Sequence, residues 1–274
     1  MSTATVREVW TFRALVWNFA QRELKGKYKR SVLGWAWSLI NPAATLLIYT
    51  LVFSTIFRAQ PPALGNGDKG NYTVFLFSGL VLWNFFSNTV NGSMSSLVGV
   101  GPLLRKIYFP PFAPVAGGMV AIGVQSLIEV GVLLVVLALL GNLSLTILLV
   151  PVLLVLLAAF ALGVGLVLSV WNVYYRDVSY LVALALQLLF YATPIIYPPK
   201  LVEDAHAKVL GMPLQDLLNL NPMAQFVDAF RNVVYDLELP SLAQLSSRVL
   251  MSAVSLSVGW VLFHRRARDV SEEL

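Results

Sequence analysis

Residues 114–171 read PVAGGMVAIGVQSLIEVGVLLVVLALLGNLSLTILLVPVLLVLLAAFALGVGLVLSVW, and Glu129 is the one charged residue among them. A helix that crosses the ~30 Å hydrocarbon layer of a bilayer needs about 20 mainly apolar residues. The stretch is long enough for two such helices, and a Gly-Asn pair near its middle, followed by a proline, marks the break between them. It therefore predicts membrane spans near 114–140 and 145–171.

The composition of the chain also indicates a membrane environment. Hydrophobic residues make up 58% and charged residues 12%, with a mean hydropathy of +0.75, whereas soluble domains average about 45–50% and about 25%. A soluble domain of this size needs a largely polar surface. The chain is therefore predicted to be an integral membrane protein without room for a second soluble domain of ~100–200 residues.

Four further uncharged stretches have the length of a span or approach it. They lie at 34–57, 72–98, 178–197 and 249–263, and the last extends toward residue 242. The predicted fold class is an all-α integral membrane protein with six transmembrane helices. A single transmembrane domain over 1–274 is expected, made of an interface helix at 1–33, a six-span bundle at 34–263 and a tail at 264–274.

The distribution of Lys and Arg orients the predicted spans. Thirteen of the 19 lie in the N-terminal segment, in the loops after the second and fourth spans and in the C-terminal tail, which share one side of the membrane. Cytoplasmic loops carry the excess of Lys and Arg, so both termini are predicted to be cytoplasmic. Because the basic residues cluster beside apolar spans, the net charge of +5 favours membrane lipids over nucleic acid as a partner.

The residue types that carry catalytic and metal chemistry are sparse. Cysteine is absent, which excludes disulfides and thiol catalysis, and His206 and His264 lie far apart without a second ligand at metal-site spacing. The sequence also lacks a Gly-rich phosphate loop with Lys and Ser/Thr. We therefore expect no catalytic residue, metal, cofactor or ATPase site in this chain.

Glu129 lies about midway along the third predicted span, where a charge costs roughly 2.5–3.5 kcal/mol. A proton relay needs further ionisable groups, and the other predicted spans contain no acid and no histidine. We therefore expect Glu129 to pair with Gln125, Gln187 or Asn172.

Residues 6–30, before the first span, have the pattern of an amphipathic helix. Trp10, Trp17 and Leu24 recur at seven-residue spacing, and basic residues crowd the C-terminal half. Such a helix is predicted to lie in the cytoplasmic membrane interface, with its cations near anionic headgroups. Simple anchoring of the chain is the alternative. The residues assigned to this surface are Trp17, Arg22, Lys25, Lys27, Tyr28, Lys29 and Arg30.

Six blocks of sequence carry a family resemblance. They are RELKGKYKRSVLGWAWSLINP at 22–42, GLVLWNFF at 79–86, LLRKIYFP at 103–110, NVYYRDV at 172–178, YATPIIYP at 191–198, and Asn-Pro at 221–222 followed by Phe-Arg at 230–231. The blocks closely resemble those of permeases of the polysaccharide and teichoic acid exporter family, a branch of the type-2 ATP-binding cassette (ABC) transporters. The resemblance covers essentially the full length, and the chain departs from it at Pro111, where the family often has a basic residue.

The resemblance implies a homodimeric permease with two copies of a separate nucleotide-binding ATPase subunit, which binds ATP and Mg²⁺. It also implies a bacterial plasma (inner) membrane location and the export of a lipid-linked polysaccharide of the O-antigen, teichoic acid, capsule or cell-wall galactan type. A membrane-embedded transferase acting on lipid-linked sugars is the alternative, and it requires acid/base or metal-binding side chains gathered at a membrane face. An ATP-independent carrier would need more intramembrane ionisable groups than Glu129.

The loop 101–111 between the second and third spans is short and apolar, and two basic residues interrupt it. A segment of this kind either lies on lipid or docks into a groove of a partner. The resemblance implies docking, as a coupling helix that transmits closure of the nucleotide-binding subunits. The residues assigned to ATPase coupling are Leu103, Leu104, Arg105, Lys106, Ile107, Tyr108 and Phe109 in this loop and Arg176 and Asp177 in the next cytoplasmic loop.

A path for sugar chains needs flat aromatic rings that contact the apolar C–H faces of the sugars. Tyr49, Phe53 and Phe57 share one face of the first span because they lie four residues apart. Tyr191 and Tyr197 flank a proline in the fifth span. These five residues are predicted to line the substrate pathway, and packing between helices is the alternative.

Residues 198–240 are too polar for a further span, yet apolar residues recur at helical spacing between 217 and 234. Asn221 and Pro222 have the residue types of a helix cap and a first helical position. The segment is predicted to form two short re-entrant helices between spans five and six, which dip back into the outer leaflet and cap the exit. An ordinary exposed helix is the alternative.

Overall fold

The computed structural model describes residues 10–27, 29, 31–56, 61–104, 106–107, 109–204, 208–209 and 211–273. Most of these residues are helical. The helices, in chain order, are α1 (Arg13–Lys27), α2 (Trp37–Thr50), α3 (Tyr72–Gly99), α4 (Gly101–Leu104), α5 (Phe112–Leu139), α6 (Val150–Tyr174), α7 (Val178–Tyr191), α8 (Lys200–Asp204), α9 (Leu214–Leu220), α10 (Pro222–Val234) and α11 (Leu242–Glu273).

Short elements connect these helices. A 3-10 turn at Gly34–Ala36 leads into α2, and the π-helical residues Leu51–Ile56 extend it. A second 3-10 turn, Leu145–Leu149, leads into α6. Strands β1 (Lys208–Val209) and β2 (Met212–Pro213) form a small antiparallel pair before α9.

Five helices in the described part of the chain are long and apolar enough to cross a bilayer. They are Gly34–Ile56, Tyr72–Gly99, Phe112–Leu139, Leu145–Tyr174 and Leu242–Arg266. The protein is therefore a multi-pass membrane protein of the all-α class, as predicted. The last span begins at Leu242, where the predicted extension also began, and continues past the predicted end at residue 263 to Arg266.

The predicted fifth span at 178–197 differs most from the structure. α7 has 14 residues and covers about 21 Å at 1.5 Å per residue, which is less than the ~30 Å hydrocarbon layer. After Tyr191 the chain turns through Pro194, which has no backbone N–H to continue a helix. Helix length and composition therefore do not reproduce the predicted count of six transmembrane helices.

α3 is the central helix of the bundle. Its N-terminus is capped by Asn71, whose side chain accepts hydrogen bonds from the backbone N–H groups of Thr73 (3.0 Å) and Val74 (3.3 Å). Helices α5, α6, α7 and α10 all pack against α3. Apolar side chains from these helices form one large buried cluster, so the interior of the bundle is a packed core.

Helices α6 and α11 are in backbone contact. A Cβ atom added at Gly163 would lie 2.3 Å from the carbonyl carbon of Ser255, and one added at Gly259 would lie 2.2 Å from the carbonyl oxygen of Gly163. The hydroxyl of Ser255 donates a hydrogen bond to the carbonyl of Phe160 (2.9 Å). Small residues four apart let membrane helices approach this closely, and a larger side chain would push them apart.

The segment before α11 contains the predicted cap. The side chain of Asn221 accepts a hydrogen bond from the backbone N–H of Met223 (2.9 Å), and Pro222 is the first residue of α10. Phe226 and Phe230 are fully buried, so α10 packs against the bundle and is not the exposed helix that the sequence left as an alternative. α9, by contrast, has no buried residue.

Arg231 of α10 is buried and joins three elements. Its guanidinium donates hydrogen bonds to the hydroxyl of Ser78 (3.2 Å) and the carbonyl of Phe75 (3.0 Å) in α3. It also donates to the carbonyls of Pro194 and Ile195, which follow α7. Because the carbonyls at this bend find donors within the protein, the break after α7 is accommodated without water.

The C-terminal end of α10 is fixed to two loops. The side-chain amide of Asn142, between α5 and α6, donates to the carbonyls of Val234 (3.1 Å) and Tyr235 (2.9 Å). The hydroxyl of Tyr235 donates to the carbonyl of Pro62, in the loop before α3 (2.7 Å). These loops therefore lie at one end of the bundle, and the loops 100–111 and 175–177 lie at the other.

Gly163→Ala is expected to lower the melting temperature of the purified protein, because the added methyl group has no space and overpacking costs about 1–3 kcal/mol. Gly131→Ala is the matched control, since nothing lies within 4 Å of a Cβ atom added at Gly131 in α5. Alanine stabilises such an open helical position by up to ~1 kcal/mol. An equal loss in both variants, measured by thermal melting in the same detergent, would contradict the α6–α11 packing.

Candidate functional site

α1 lies against the N-terminal half of α5. A Cβ atom added at Gly117 would lie 2.5 Å from the Cβ atom of Phe19 and 2.8 Å from the carbonyl oxygen of Val16. Phe19 is buried, whereas Trp10 and Trp17 are exposed. One face of this segment thus packs on α5, and the other face is exposed. The exposed face carries the two tryptophans, which are expected to contact lipid.

The basic half of α1 is largely exposed. Of the predicted interface residues, Arg22, Lys25, Lys27 and Lys29 have exposed side chains, and Tyr28 and Arg30 lie outside the described residues. Arg22 lies over the ring of Phe19 and forms an ion pair with Glu23 (3.2 Å). Partial burial lowers the pKa of the Lys27 ammonium, and the charge of Glu129 acts in the opposite direction. Exposed cations on an interfacial helix can contact anionic headgroups.

The loop after α3 exposes part of the predicted docking set. Lys106 is exposed, and Ile107 is 56% exposed. Leu103 and Leu104 of α4 are instead partly buried in an apolar cluster. Arg105 and Tyr108 lie outside the described residues.

Phe109 connects this loop to α1. Its side chain is buried, and its ring centroid lies 5.5 Å from that of Phe19. The same apolar cluster contains Val100 and Ala113, which flank the loop. α1 and the described residues of the loop 100–111 therefore form one packed unit on the N-terminal end of α5, which we call the platform.

The second predicted coupling loop is at the same end of the bundle. Arg176 and Asp177 are exposed, and the carbonyl of Arg176 accepts a hydrogen bond from the hydroxyl of Ser179 (2.9 Å). Tyr174, at the end of α6, packs in one apolar cluster with Leu104. The fold thus brings both predicted coupling loops to one end of the protein.

The predicted pathway aromatics fall into two groups. Tyr49 stacks on Phe53 (6.1 Å between centroids), and Phe53 stacks on Tyr72 at the start of α3 (5.7 Å). Tyr191 is 59% exposed, and its carbonyl accepts a hydrogen bond from the hydroxyl of Tyr197 (2.9 Å). The first group has the contacts of helix packing, and Phe57 lies outside the described residues.

Glu129 is 3% exposed, and its Oε1 accepts a hydrogen bond from the side-chain amide of Gln125 (3.2 Å). Pairing with Gln125 was among the predicted alternatives. Of the other two, Gln187 is exposed, and Asn172 donates to the carbonyl of Met94 (3.5 Å). The ammonium of Lys27 also donates to Gln125, so the interface helix reaches this pair. The sequence patterns missed this contact, because they placed Lys27 at the membrane surface.

A polar stripe on α3 was also missed. Asn84, Asn88, Asn91 and Ser95 lie at intervals of four, three and four residues, which places them on one helix face. This spacing within an apolar span is the signal that could have identified the stripe. In the described part of the chain, no group of three or more His, Asp or Glu side chains could hold a metal ion.

A bundle of apolar spans with a helix and an apolar loop packed at one end has the architecture of a multi-pass membrane protein. Residues 14–235 match the family of ABC-2 type transporters, and the chain belongs to this family. The matched region begins in α1 and ends directly after α10, so it includes the platform and the bend after α7.

Similar proteins come from three bacteria. The chain is 30% identical over 270 residues to the O-antigen export system permease protein RfbA of Myxococcus xanthus. This alignment covers 98% of each chain. It is 28% identical over 244 residues to a protein of the same name from Klebsiella pneumoniae, covering 86% of this chain and 87% of that one. It is 22% identical over 253 residues to the polysialic acid transport protein KpsM of Escherichia coli, covering 89% and 90%.

Phe19→Ala is expected to loosen the packing of α1 on Phe109 and α5, because truncating a buried Phe costs about 3–5 kcal/mol. Amide hydrogen exchange in Arg13–Lys27 should become faster in this variant, whereas exchange in α6 should not change. Trp17→Ala is the matched control, since Trp17 is an exposed aromatic residue of the same helix. Equal protection of α1 in the wild type and in Phe19→Ala would show that the contact with Phe109 does not hold the helix.

Proposed function

We propose that this chain is the membrane-spanning subunit of an ATP-driven transporter that exports a lipid-linked polysaccharide across a bacterial inner membrane. It works as a homodimer with two copies of a nucleotide-binding subunit, which binds ATP and Mg²⁺ and hydrolyses ATP. The observation that carries the proposal is the platform at one end of the bundle, in a chain whose relatives are named as O-antigen and polysialic acid transport proteins.

The platform suits a coupling role because its parts are fixed to each other and to a span. Phe109 packs on Phe19, and Gly117 allows α1 to lie directly on α5. Ile107 and Lys106 extend from this packed base into solvent. A displacement imposed at Ile107 is therefore passed to α5 through packed side chains. Arg105, Tyr108, Arg176 and Asp177 complete the proposed contact with the ATPase subunit.

The chain crosses the membrane six times in this proposal, with both termini in the cytoplasm. α7 begins at the end of the bundle that carries the platform. The bend after α7 lies at the opposite end, where the hydroxyl of Tyr72 donates to the carbonyl of Ile196 (2.8 Å). Irregular backbone is tolerated at membrane depth where protein groups satisfy its hydrogen bonds. Residues 178–196 thus form the sixth crossing as a helix followed by a bend.

The chain is proposed to be one permease domain. An interface helix at 1–33 precedes the six-span bundle at 34–263, and a cytoplasmic tail follows at 264–274. α9 and α10 are the re-entrant helices at the outer end of the bundle. The burial of α10 and its contacts through Arg231 support this assignment.

Two copies enclose the pathway in this proposal, because apolar side chains fill the interior of one bundle. Leu47, Ile48 and Ile56 of the first span are exposed in the single chain. A second copy can cover such a face by close packing. Of the aromatic residues proposed for the pathway, Tyr191 and Tyr197 are the better supported, since Tyr49 and Phe53 are occupied with helix packing.

ATP hydrolysis by the reconstituted complex tests the proposal. The purified chain alone is expected to hydrolyse no ATP, whereas the complex with its nucleotide-binding subunit should do so. Lipid-linked glycan extracted from the source cells should stimulate that activity. A complex that hydrolyses ATP without any response to the glycan would count against a polysaccharide cargo, and hydrolysis by the chain alone would contradict its role as a permease.

Ile107→Asp is expected to weaken binding of the nucleotide-binding subunit at least tenfold, because losing an apolar anchor costs over 1 kcal/mol and a buried carboxylate would be unpaired. Leu143→Asp is the control, since Leu143 is also an exposed apolar loop residue but lies at the outer end. Affinity is measured by titrating the labelled nucleotide-binding subunit onto the chain in nanodiscs. Unchanged affinity in Ile107→Asp would remove the loop from the interface.

A further inference from the structure

The exposed face of α3 is polar, although α3 is the most enclosed of the candidate spans. Asn88, Asn91 and Ser95 are exposed on this face, whereas Val90 and Met94 on other faces are buried. Polar side chains in a span rarely face lipid, because hydrocarbon offers them no hydrogen bonds. The stripe therefore faces a space filled by water or by a polar ligand.

That space is a cavity of about 750 Å³ between α1, α3 and α5. Binding sites for small molecules commonly have volumes of ~300–1,000 Å³. Asn88, Asn91 and Ser95 line one wall, Gln125 lines the α5 wall, and Trp35 lies at the margin. The α5 wall also contains Gly118 and Ala121, whose small side chains leave the volume open.

The two cations that line the cavity have partners within the protein. Arg22 lines the cavity and is paired with Glu23. Lys27 lines it as well, donates to Gln125 and interacts with the charge of Glu129. Arg22 thus has a carboxylate partner and Lys27 an amide partner, which disfavours a phosphate as the ligand and favours an uncharged polar molecule.

The lining groups match the chemistry of a sugar. Gln125 already bonds to Lys27 and Glu129. The hydroxyl of Ser95 donates to the carbonyls of Asn91 and Gly92, so Ser95 offers an acceptor. The amides of Asn88 and Asn91 each offer two donors and an acceptor, which can serve the mixed donors and acceptors of sugar hydroxyls. The indole of Trp35 is 44% exposed and offers a flat ring to an apolar sugar face. A hydrocarbon chain would leave these amides unsatisfied.

We propose that this cavity is a sugar-binding subsite at the cytoplasmic end of the bundle, which takes uncharged pyranose units of the cargo before they enter the pathway. The proposal rests on the polysaccharide export function given above. Ser95 lies about 35 Å along α3 from Tyr72, so this subsite is distinct from the aromatic residues at the outer end. Lys27 links the subsite to the platform, because it lines the cavity from α1.

Thiol labelling tests occupancy directly, since the natural chain has no cysteine. Ser95→Cys in the complex with the nucleotide-binding subunit is alkylated in nanodiscs, and the glycan released from source-cell membranes by mild acid is added as the probe. We expect this glycan to slow alkylation at least fivefold and inorganic pyrophosphate to have no effect. Ser144→Cys, an exposed outer-end position, is the control and should react equally with and without glycan.

A second variant measures the functional consequence. Asn91→Leu should raise the concentration of lipid-linked glycan needed for half-maximal ATPase stimulation about fivefold, because one hydrogen-bonding side chain is lost. Gln187→Leu replaces an exposed amide of α7 away from the cavity and should leave that concentration unchanged.

The outcomes separate the subsite from the export function. One outcome is that the glycan stimulates the wild type without protecting Ser95→Cys, and that Asn91→Leu and Gln187→Leu need the same glycan concentration for half-maximal stimulation. That result refutes the subsite and leaves the export function standing. Protection by pyrophosphate alone would also refute a sugar site. If the glycan fails to stimulate the wild-type complex, the proposed function itself fails.

Discussion

Hydrocarbon supplies no hydrogen bonds, so each polar group within the bundle must find its partner in the protein. This constraint explains the contacts that determine the fold. Arg231 satisfies carbonyls at the bend after α7, and Asn142 satisfies carbonyls at the end of α10. Glu129 bonds to Gln125, to which Lys27 also donates. Asn88 and Asn91 of α3 instead line a cavity.

The platform follows from close packing rather than from hydrogen bonds. Gly117 permits direct contact between α1 and α5, and Phe19 joins α1 to the loop through Phe109. α1 is therefore an integral part of the bundle. This packing connects the loop that carries Ile107 to the spans.

Much of the fold could be predicted because a bilayer imposes long apolar stretches on the sequence. The second, third and fourth spans and the cap at Asn221 were predicted correctly. Pro194 marked a break in the fifth span, but the contacts of Arg231 that hold the bend could not be predicted, since they join residues far apart in the chain. The buried face of α1 was missed for a similar reason, because its partner Gly117 belongs to another helix.

For the candidate site, the sequence predicted the loops but not which side chains they expose. Leu104 and Ile107 are both apolar, and only the packing of α4 distinguishes the partly buried residue from the exposed one. The stacking of Phe53 on Tyr72 likewise required the relative placement of α2 and α3. The spacing of the asparagines could have identified the polar stripe, but its exposure depends on how α1 and α5 pack around it.

Transport in sealed vesicles tests the central claim most directly. Proteoliposomes that contain the chain and its nucleotide-binding subunit, with the ATPase facing outward, are loaded with lipid-linked glycan in the outer leaflet. ATP should make the glycan inaccessible to periodate added outside, and a non-hydrolysable ATP analogue should not. Equal loss of accessibility without the nucleotide-binding subunit would contradict the claim that a separate ATPase drives this permease.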